Sequence, residues 1–194
     1  AIIGLGGGSI GKFFYHYFRL TQVINIELNP TVLNIAKQHF CLPEESERFQ
    51  ILLGDGAEFV AHKHPEPLDI LIVDGYGSKS IAPSLSSLEF YQRCASNVLS
   101  HFGILIVNLW GSDKRFPIYL DRIQTAFNHR VLVLPAEKHG NMIIFAFMQE
   151  YNDPKWADLI EKAQRLEKKY DLEFVQFVNS LRKRNQYNSD CLFI

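Results

Sequence analysis

The fold is decided by residues 1–11, which read AIIGLGGGSIG. A short apolar run, typical of a buried strand, leads directly into a glycine-rich turn. Glycine lets the backbone turn tightly and approach a ligand closely, because no Cβ stands in the way. The spacing of Gly6, Gly8 and Gly11 also satisfies the dinucleotide-binding fingerprint. The turn therefore predicts an adenosine-containing ligand without choosing between nicotinamide and other adenosine cofactors, and a tight turn that binds nothing is the alternative.

Segments with the apolar spacing of strands and of helices alternate along the rest of the chain. Strands are predicted at residues 1–5, 22–28, 49–53, 68–73, 103–109, 130–134 and 142–149. Alternation of this kind predicts an α/β fold, with a Rossmann-like, mostly parallel sheet of seven strands and helices on both faces. The last two strands follow one another without a helix, joined by a polar turn at residues 137–141, which indicates an antiparallel pair at one edge.

The predicted helices begin at recognisable signals. One helix is expected at about residues 9–20 and a second from residue 30 onward. A short third helix follows residue 56 and ends near residue 62, and two more are expected at 86–99 and 116–127. Asn29 followed by Pro30 provides an N-cap and a proline at the first helical position. Ser86 and Glu89, three residues apart, form a capping box.

The chain is expected to contain one cofactor-binding domain, residues 1–150, and a helical extension, residues 151–194, packed on the same domain. Apolar residues recur at helical spacing in the extension, on both sides of a break near Asp171, at Trp156, Leu159, Ile160, Ala163, Leu166, Phe174, Phe177, Val178 and Leu181. Such amphipathic helices bury their apolar face against a core. Because a chain end inside a central strand would fray, we expect residues of a longer protein to precede Ala1.

Composition argues against several classes of function. The formal net charge is −1, so no overall charge attracts nucleic acid or an anionic membrane. No apolar run reaches the roughly 18 residues of a membrane span. The three cysteines are far apart and form no CxxC pair, which favours a cytoplasmic protein over a disulfide or metal framework. We interpret His62 and His64 as solvated side chains and predict no metal, because no third ligand is evident.

Acidic residues follow three of the predicted strands, at the sheet edge where parallel sheets bind ligands. Glu27 ends the second strand, about 20 residues after the glycine turn, where a carboxylate can accept the ribose hydroxyls of an adenosine. Asp55 follows the third strand between two glycines, and it could accept the adenine amine, cap the next helix, or do both. Asp74 ends the fourth strand and is a candidate for chemistry by position, with a solvated loop residue as the alternative.

The ordered combination of these motifs resembles the polyamine aminopropyltransferases, the family of the spermidine synthases. Its elements are the glycine turn, Glu27, Gly54-Asp55-Gly56, Val73-Asp74, Glu89-Phe90-Tyr91 and Gly103, which together cover roughly residues 2–147. The resemblance implies an antiparallel last strand, decarboxylated S-adenosylmethionine as the donor and a polyamine as the acceptor. Together with the apolar tail helices, it also implies a homodimer.

The resemblance assigns roles by motif position. The residues implied for the donor site are Gly4, Gly6, Gly7, Gly8, Ser9, Glu27, Asp55, Gly56 and Asp74. Glu27 would bind the ribose and Asp55 the adenine. Asp74 would be the catalytic residue, because a carboxylate can hold the protonated acceptor amine and accept its proton. Tyr76 could cover the site, although a loop tyrosine is as often simple packing.

Three departures from the family pattern bear on the acceptor. The family's glycine loop continues with an Asp that binds the donor's amine, and Ser9 stands there in this sequence. Residues 74–78, DGYGS, lack the second Asp of the family's loop. The family's N-terminal β-rich segment is not contained in this chain.

Three alternative functions therefore stay open. The first is a methyltransferase using intact S-adenosylmethionine, in which Ser9 and the N–H groups of the glycine loop bind the donor's carboxylate. The second is a non-catalytic adenosine-binding module. The third is a nicotinamide oxidoreductase, which Asp55 and Asp74 disfavour.

Overall fold

The computed structural model describes residues 1–77, 81–136 and 140–194. The strands in these ranges are β1 (Ile2–Ile3), β2 (Val23–Glu27), β3 (Phe49–Leu53), β4 (Leu68–Val73), β5 (Leu99–Trp110), β6 (Val131–Pro135) and β7 (Asn141–Phe147). They form one sheet in the order β3-β2-β1-β4-β5-β7-β6. Neighbouring strands from β3 to β5 are parallel, whereas β7 is antiparallel to both β5 and β6. The predicted seven-stranded, mostly parallel sheet is confirmed.

The α-helices in the same ranges alternate with the strands as far as β6. They are α1 (Ser9–Tyr17), α2 (Pro30–His39), α3 (Gly56–Ala61), α4 (Leu88–Arg93), α5 (Phe116–Ala126), α6 (Trp156–Tyr170) and α7 (Phe174–Leu181). Helix α4 continues into a π-helical segment at Cys94–Val98. The chain proceeds from β1 through β2 to β3 in one direction across the sheet and then crosses back to β4 on the other side of β1. Ligands of such sheets bind in a crevice beyond the carboxyl ends of the strands where the strand order reverses, here at β1 and β4.

Apolar side chains cover both faces of the sheet. On one face, β1, β4 and β5 pack with α3, α4 and α5 around Leu71, Tyr91 and Leu105, each fully buried. On the other face, Ile2 lies in a cluster that includes Phe14 of α1. Both residues of β1 are only 3% exposed. The glycine turn therefore starts from one of the most enclosed parts of the molecule.

Most predicted elements are present with small shifts in their bounds. β3 and β4 have the predicted bounds, and the Asn29 side chain caps α2 as predicted, accepting a hydrogen bond from the Thr31 N–H at 2.9 Å. The helix after the glycine turn ends three residues early, at Tyr17, and β5 begins four residues early, at Leu99. Part of the predicted turn at residues 137–141, including His139, and the loop residue Ser78 lie outside the described residues.

The capping box predicted at Ser86 is wrong by one residue. The hydroxyl that accepts from the helix belongs to Ser87, and its partner is the Phe90 N–H at 3.0 Å. A short 3-10 turn at Pro83–Leu85 occupies the segment just before α4, and the Ser86 hydroxyl donates back to the Pro83 carbonyl. Because that turn uses Ser86, the N-cap of the helix lies one residue later than predicted.

The tail helices lie against the β6 side of the sheet. Between α6 and α7, Asp171 adopts the left-handed conformation at the predicted break, with φ 55°. Trp156, the first residue of α6, is buried. Beyond α7, Asn185 pairs with the backbone of β6, accepting from the Val133 N–H at 2.7 Å and donating to the Val133 carbonyl at 2.8 Å. The tail thus covers backbone groups at Val133 that an edge strand would otherwise expose.

Replacing Gly4 is expected to be costly. Gly4 has φ 100°, and a Cβ at this position would lie 2.5 Å from the Asp74 carbonyl oxygen. Gly4→Ala should lower the free energy of unfolding by about 1–3 kcal/mol from backbone strain alone, with the collision added to it. Gly54→Ala is the matched control, since a Cβ there meets no atom within 4 Å. Urea denaturation giving the two variants equal stability would contradict this expectation.

Candidate active site

Parallel strands bring the predicted acidic residues to one edge of the sheet. Glu27 is the last residue of β2, Asp55 follows β3, and Asp74 follows β4. Backbone hydrogen bonds continue past the strand ends: the Gly54 N–H donates to the Glu27 carbonyl at 2.9 Å, and the Asp74 N–H donates to the Ile3 carbonyl at 2.8 Å. The three carboxylates and the glycine turn therefore share one rigid edge.

The glycine turn is shaped by positive backbone angles and by packing. Gly4, Gly6 and Gly8 have φ values of 100°, 51° and 70°. A Cβ at Gly8 would lie 2.3 Å from a methyl carbon of Leu42, and at Gly7 it would meet the Phe40 ring. These two glycines are thus required by the protein's own side chains as well as by any ligand. Gly6 faces open space, since a Cβ there meets no atom within 4 Å.

Glu27 ties the glycine turn to the end of β2. Its side chain is buried, 8% exposed, and both carboxylate oxygens accept backbone hydrogen bonds. Oε2 accepts from the Leu5 N–H at 3.0 Å and Oε1 from the Asn29 N–H at 2.8 Å. These bonds compensate for removing the carboxylate from water. Each oxygen keeps a further acceptor direction for a ligand hydroxyl.

Asp55 caps α3 and remains exposed. Its Oδ1 accepts from the Ala57 N–H at 2.8 Å, which is one of the two roles considered for it from the sequence. The next residue, Gly56, has no room for a side chain, because a Cβ would lie 2.3 Å from a methyl carbon of Ile3. Packing against β1 therefore fixes the backbone that presents Asp55 to the crevice.

Asp74 lies half-buried at the mouth of β4. Burial raises the pKa of the Asp74 carboxyl, and a hydrogen bond from Asn108 opposes the rise. The Asn108 Nδ2 donates to Asp74 Oδ1 at 2.8 Å, and the Asn141 Nδ2 donates to Asn108 Oδ1 at 3.0 Å. One oxygen of the carboxylate is thereby held, in an environment that also favours proton binding.

Tyr76 lies beside Asp74 and is anchored through its hydroxyl. The hydroxyl donates to the backbone carbonyl of Asn108 at 2.9 Å. Burial, with the charges of Asp74 and Asp113, raises the pKa of Tyr76 to about 12. Tyr76 is therefore a neutral hydrogen-bond donor at physiological pH, and the residue remains 40% exposed.

Sequence reasoning did not assign a role to Asn108 or Asn141. A signal existed for Asn108, because it is a polar residue at the carboxyl end of an apolar strand, where ligands bind. Asn141 begins β7 and gave no such signal, since its contact with Asn108 depends on the register between β5 and β7.

Ser9 is the exposed first residue of α1, and no side chain caps that helix.

Other features of the chain lie away from this edge. A groove at the amino-terminal ends of β1, β2 and β4 is lined by Phe14, Phe18 and Leu20 and by none of the three carboxylates. Within the three described ranges, no cluster of His, Cys, Asp or Glu side chains could hold a metal ion. Nor does that part of the chain contain a helix long and apolar enough to cross a membrane.

Comparison with known proteins identifies the family. No family model matches the sequence. The polyamine aminopropyltransferase of Chromobacterium violaceum is 36% identical over 192 residues, which make up 99% of this chain and 73% of that protein. This chain belongs to the polyamine aminopropyltransferase family. The resemblance recognised from the glycine turn and the acidic strand ends is confirmed, and the protein is a transferase.

Solved structures show the methyltransferase-like fold of this family member. Human methyltransferase-like protein 13 in complex with SAH aligns with a TM-score of 0.75 and 23% identity, over 97% of this chain and 83% of that one. A probable spermidine synthase from Corynebacterium glutamicum aligns with a TM-score of 0.71 and 19% identity, over 86% of this chain and 62% of that one. Both the aminopropyltransferase-like and the methyltransferase branches thus share its architecture.

The raised pKa of Asp74 makes stability depend on pH. The folded protein binds the Asp74 proton more tightly than the unfolded chain, so stability falls as the pH rises from 3.8, the ordinary value, through the folded pKa. Asp74→Asn removes the ionisation, and the variant should melt at a higher temperature than the wild type at pH 7. The difference should shrink as the pH falls toward 3.8. Calorimetric scans between these pH values measure it, with the exposed Asp121→Asn as control; equal melting temperatures at pH 7 would refute the expectation.

Proposed function

We propose that this protein transfers an aminopropyl group from decarboxylated S-adenosylmethionine to a polyamine and releases methylthioadenosine. The observation that carries the proposal is the position of Asp74, which is half-buried at the strand crossover and whose backbone carbonyl lies against Gly4 of the glycine turn. The family relationship supports it, since the chain is 36% identical to a polyamine aminopropyltransferase over 99% of its own length. Asp74 is the group that the reaction requires beside the acceptor.

The chemistry needs a base because the acceptor amine is protonated at neutral pH. Asp74 accepts the proton through Oδ2, while Oδ1 stays bonded to Asn108. The freed lone pair of the amine nitrogen forms a bond to the propyl carbon next to the sulfonium sulfur. The carbon–sulfur bond breaks, and its electron pair stays on sulfur, which becomes the neutral thioether of methylthioadenosine.

The donor would lie across the carboxyl edge between the glycine turn and β3. Glu27 accepts the ribose hydroxyls through the acceptor directions that its backbone bonds leave. Asp55 accepts the adenine amine through Oδ2, which has no hydrogen bond among the described residues. The structure of methyltransferase-like protein 13 was determined with SAH, which supports an adenosyl ligand on this fold.

Methyl transfer from intact S-adenosylmethionine is the second candidate, and Ser9 favours it. Intact S-adenosylmethionine carries a carboxylate that the decarboxylated donor lacks. The first N–H groups of α1 have no side-chain cap, and Ser9 adds an exposed hydroxyl at the same helix end. Such a helix start can bind a carboxylate. The two donors therefore differ in the part of the molecule that reaches Ser9.

We also propose that the protein acts as a cytoplasmic homodimer on small amines, without binding nucleic acid or membranes. The net charge of −1 disfavours nucleic acid and anionic membranes, and the apolar side chains that the tail leaves exposed, such as Leu166 and Leu172, support the dimer. Cyclic dimers are the commonest oligomers. Light scattering of the purified protein measures the assembly, and a monomer at micromolar concentration would contradict it.

Changing Glu27 should weaken donor binding. Glu27→Gln keeps the shape but replaces one acceptor oxygen with an NH2 group that faces a backbone N–H or a ribose hydroxyl. The affinity for methylthioadenosine should fall by about 1–3 kcal/mol, the range for hydrogen bonds to a charged group. Calorimetry measures it, with Glu58→Gln, an exposed residue of α3, as control. Wild-type affinity in a folded Glu27→Gln variant would remove Glu27 from the site.

Changing Asp74 should abolish most turnover while sparing donor binding. Asp74→Asn removes the proton acceptor, and general-base catalysis typically contributes 10²–10⁴-fold, so kcat should fall by about that factor. The assay follows methylthioadenosine released from decarboxylated S-adenosylmethionine with putrescine or spermidine as acceptor. Methylthioadenosine affinity, measured in parallel, should change much less.

The same assay separates the two candidate functions. A wild-type protein that is inactive with every amine but transfers a methyl group from S-adenosylmethionine would overturn aminopropyl transfer in favour of methyl transfer. Unchanged kcat in Asp74→Asn would remove Asp74 from the chemistry.

A further inference from the structure

Two amide side chains stand behind Asp74 in a single line of hydrogen bonds. Asn141 donates to Asn108, and Asn108 donates to Asp74, at 3.0 and 2.8 Å. The two amides lie on the same face of the β5–β7 pair, because Asn108 is opposite Ile143 and Asn141 is two residues before it in β7. Asp74, Asn108 and Asn141 are all half-buried, so these hydrogen bonds are partly shielded from water.

The direction of this line matters, because an amide has one donating and one accepting end. By itself, Asn108 could turn either its NH2 group or its oxygen toward Asp74. The NH2 group attracts a carboxylate and the oxygen repels it. Since the Asn141 NH2 already donates to Asn108 Oδ1, the Asn108 NH2 is left to face Asp74.

We propose that Asn141 is a positioning residue for the reaction: through Asn108 it holds Asp74 Oδ1 and thereby directs Oδ2 toward the acceptor amine. The aligned amide dipoles strengthen one another, as in other hydrogen-bonded chains. The catalytic role of Asn141 rests on the proposed aminopropyl transfer. The hydrogen-bonded hold on Asp74 does not rest on it, and its effect on the Asp74 pKa is measurable without any substrate.

An amide chain suits a site that binds two cations. Burial opposes ionisation of Asp74, and hydrogen bonds to the charged form favour it. Among the described residues no Lys or Arg pairs with Asp74. A cationic partner would also favour the carboxylate, but it would repel the sulfonium donor and the ammonium acceptor. Neutral amides avoid that repulsion.

The other titratable groups near Asp74 do not stabilise its charged form. The Tyr76 phenol, whose pKa is raised to about 12, stays neutral. The Asp113 carboxylate acts on Tyr76, and the guanidinium of Arg115 neutralises it at 2.9 Å. Asn108 is therefore the neighbour that opposes the effect of burial on Asp74.

The test is a titration of the Asp74 carboxyl carbon by ¹³C NMR in the purified protein. Asn108→Ala and Asn141→Ala should both move the pKa of Asp74 upward, with the larger shift in Asn108→Ala. The double variant should match Asn108→Ala, because Asn141 acts through Asn108. Asn152→Ala, at an exposed position after β7, is the control and should leave the titration unchanged.

Two results would overturn the inference. One is an unchanged Asp74 titration in Asn141→Ala, and the other is an Asn141 effect that persists in the Asn108→Ala background. Should the alanine variants fail to fold, Asn141→Leu provides the measurement, because leucine is similar in shape to asparagine, adds no charge and cannot donate to Asn108 Oδ1. The upward shift of the Asp74 pKa must then exceed that in the exposed control Asn152→Leu, and an equal shift would also overturn the inference.

Kinetics provide the second readout. In Asn141→Ala, kcat/KM for the amine should fall about three- to tenfold, roughly the worth of one hydrogen bond, and the acidic limb of its pH profile should move to higher pH together with the pKa of Asp74. A loss of activity with an unshifted acidic limb indicates a structural role and contradicts the inference. If the wild type shows no aminopropyl transfer while the NMR shifts follow the pattern above, the proposed function fails and the positioning of Asp74 is supported.

Discussion

The contact between Gly4 and the backbone of Asp74 is the constraint on which the site depends. β1 is only two residues long, yet it lies between β2 and β4 at the centre of the strand crossover. At its end the chain approaches β4 so closely that a Cβ at Gly4 would stand 2.5 Å from the Asp74 carbonyl oxygen. The glycine turn and Asp74 are consequently parts of one backbone framework. That framework provides the fixed geometry that a reaction between two bound molecules requires.

The same residues that suit a ligand also hold the edge of the sheet together. Glu27 is buried because its oxygens accept N–H groups from Leu5 and Asn29, which places the carboxylate and fixes the turn in one arrangement. Gly8 gives room to Leu42 as well as providing a left-handed angle. A substitution at either position therefore changes the architecture and the ligand site together. Only measurements that separate folding from binding distinguish the two effects.

Sequence patterns predicted what depends on local order and missed what depends on register. The apolar run of β4 and the position of Asp74 at its end follow from strand periodicity and from the rule for parallel sheets. The cap of α4 lies at Ser87 and not at the predicted Ser86, because a short 3-10 turn that begins at Pro83 precedes the helix. The partnership of Asn108 and Asn141 required the antiparallel alignment of two strands that are distant in sequence. Such cross-strand contacts carry no signal in one strand alone.

In the proposed aminopropyl transfer, Asp74 attracts the acceptor amine with fewer carboxylates beside it than the family pattern has. Two family carboxylates that contact amines are replaced or missing here, at Ser9 and in the loop after Asp74. Asp113 lies near Tyr76 but does not fill the gap, because Arg115 binds both of its oxygens, at 3.1 and 2.9 Å, and the hydrogen bonds from Arg115 lower the pKa of Asp113. A carboxylate paired in this way offers little net attraction to a cationic amine. Asp74 is bonded only to a neutral amide among the described residues, so its full charge remains available to the crevice. In the proposed reaction, attraction for the acceptor amine is therefore concentrated at Asp74, the residue that we propose receives its proton.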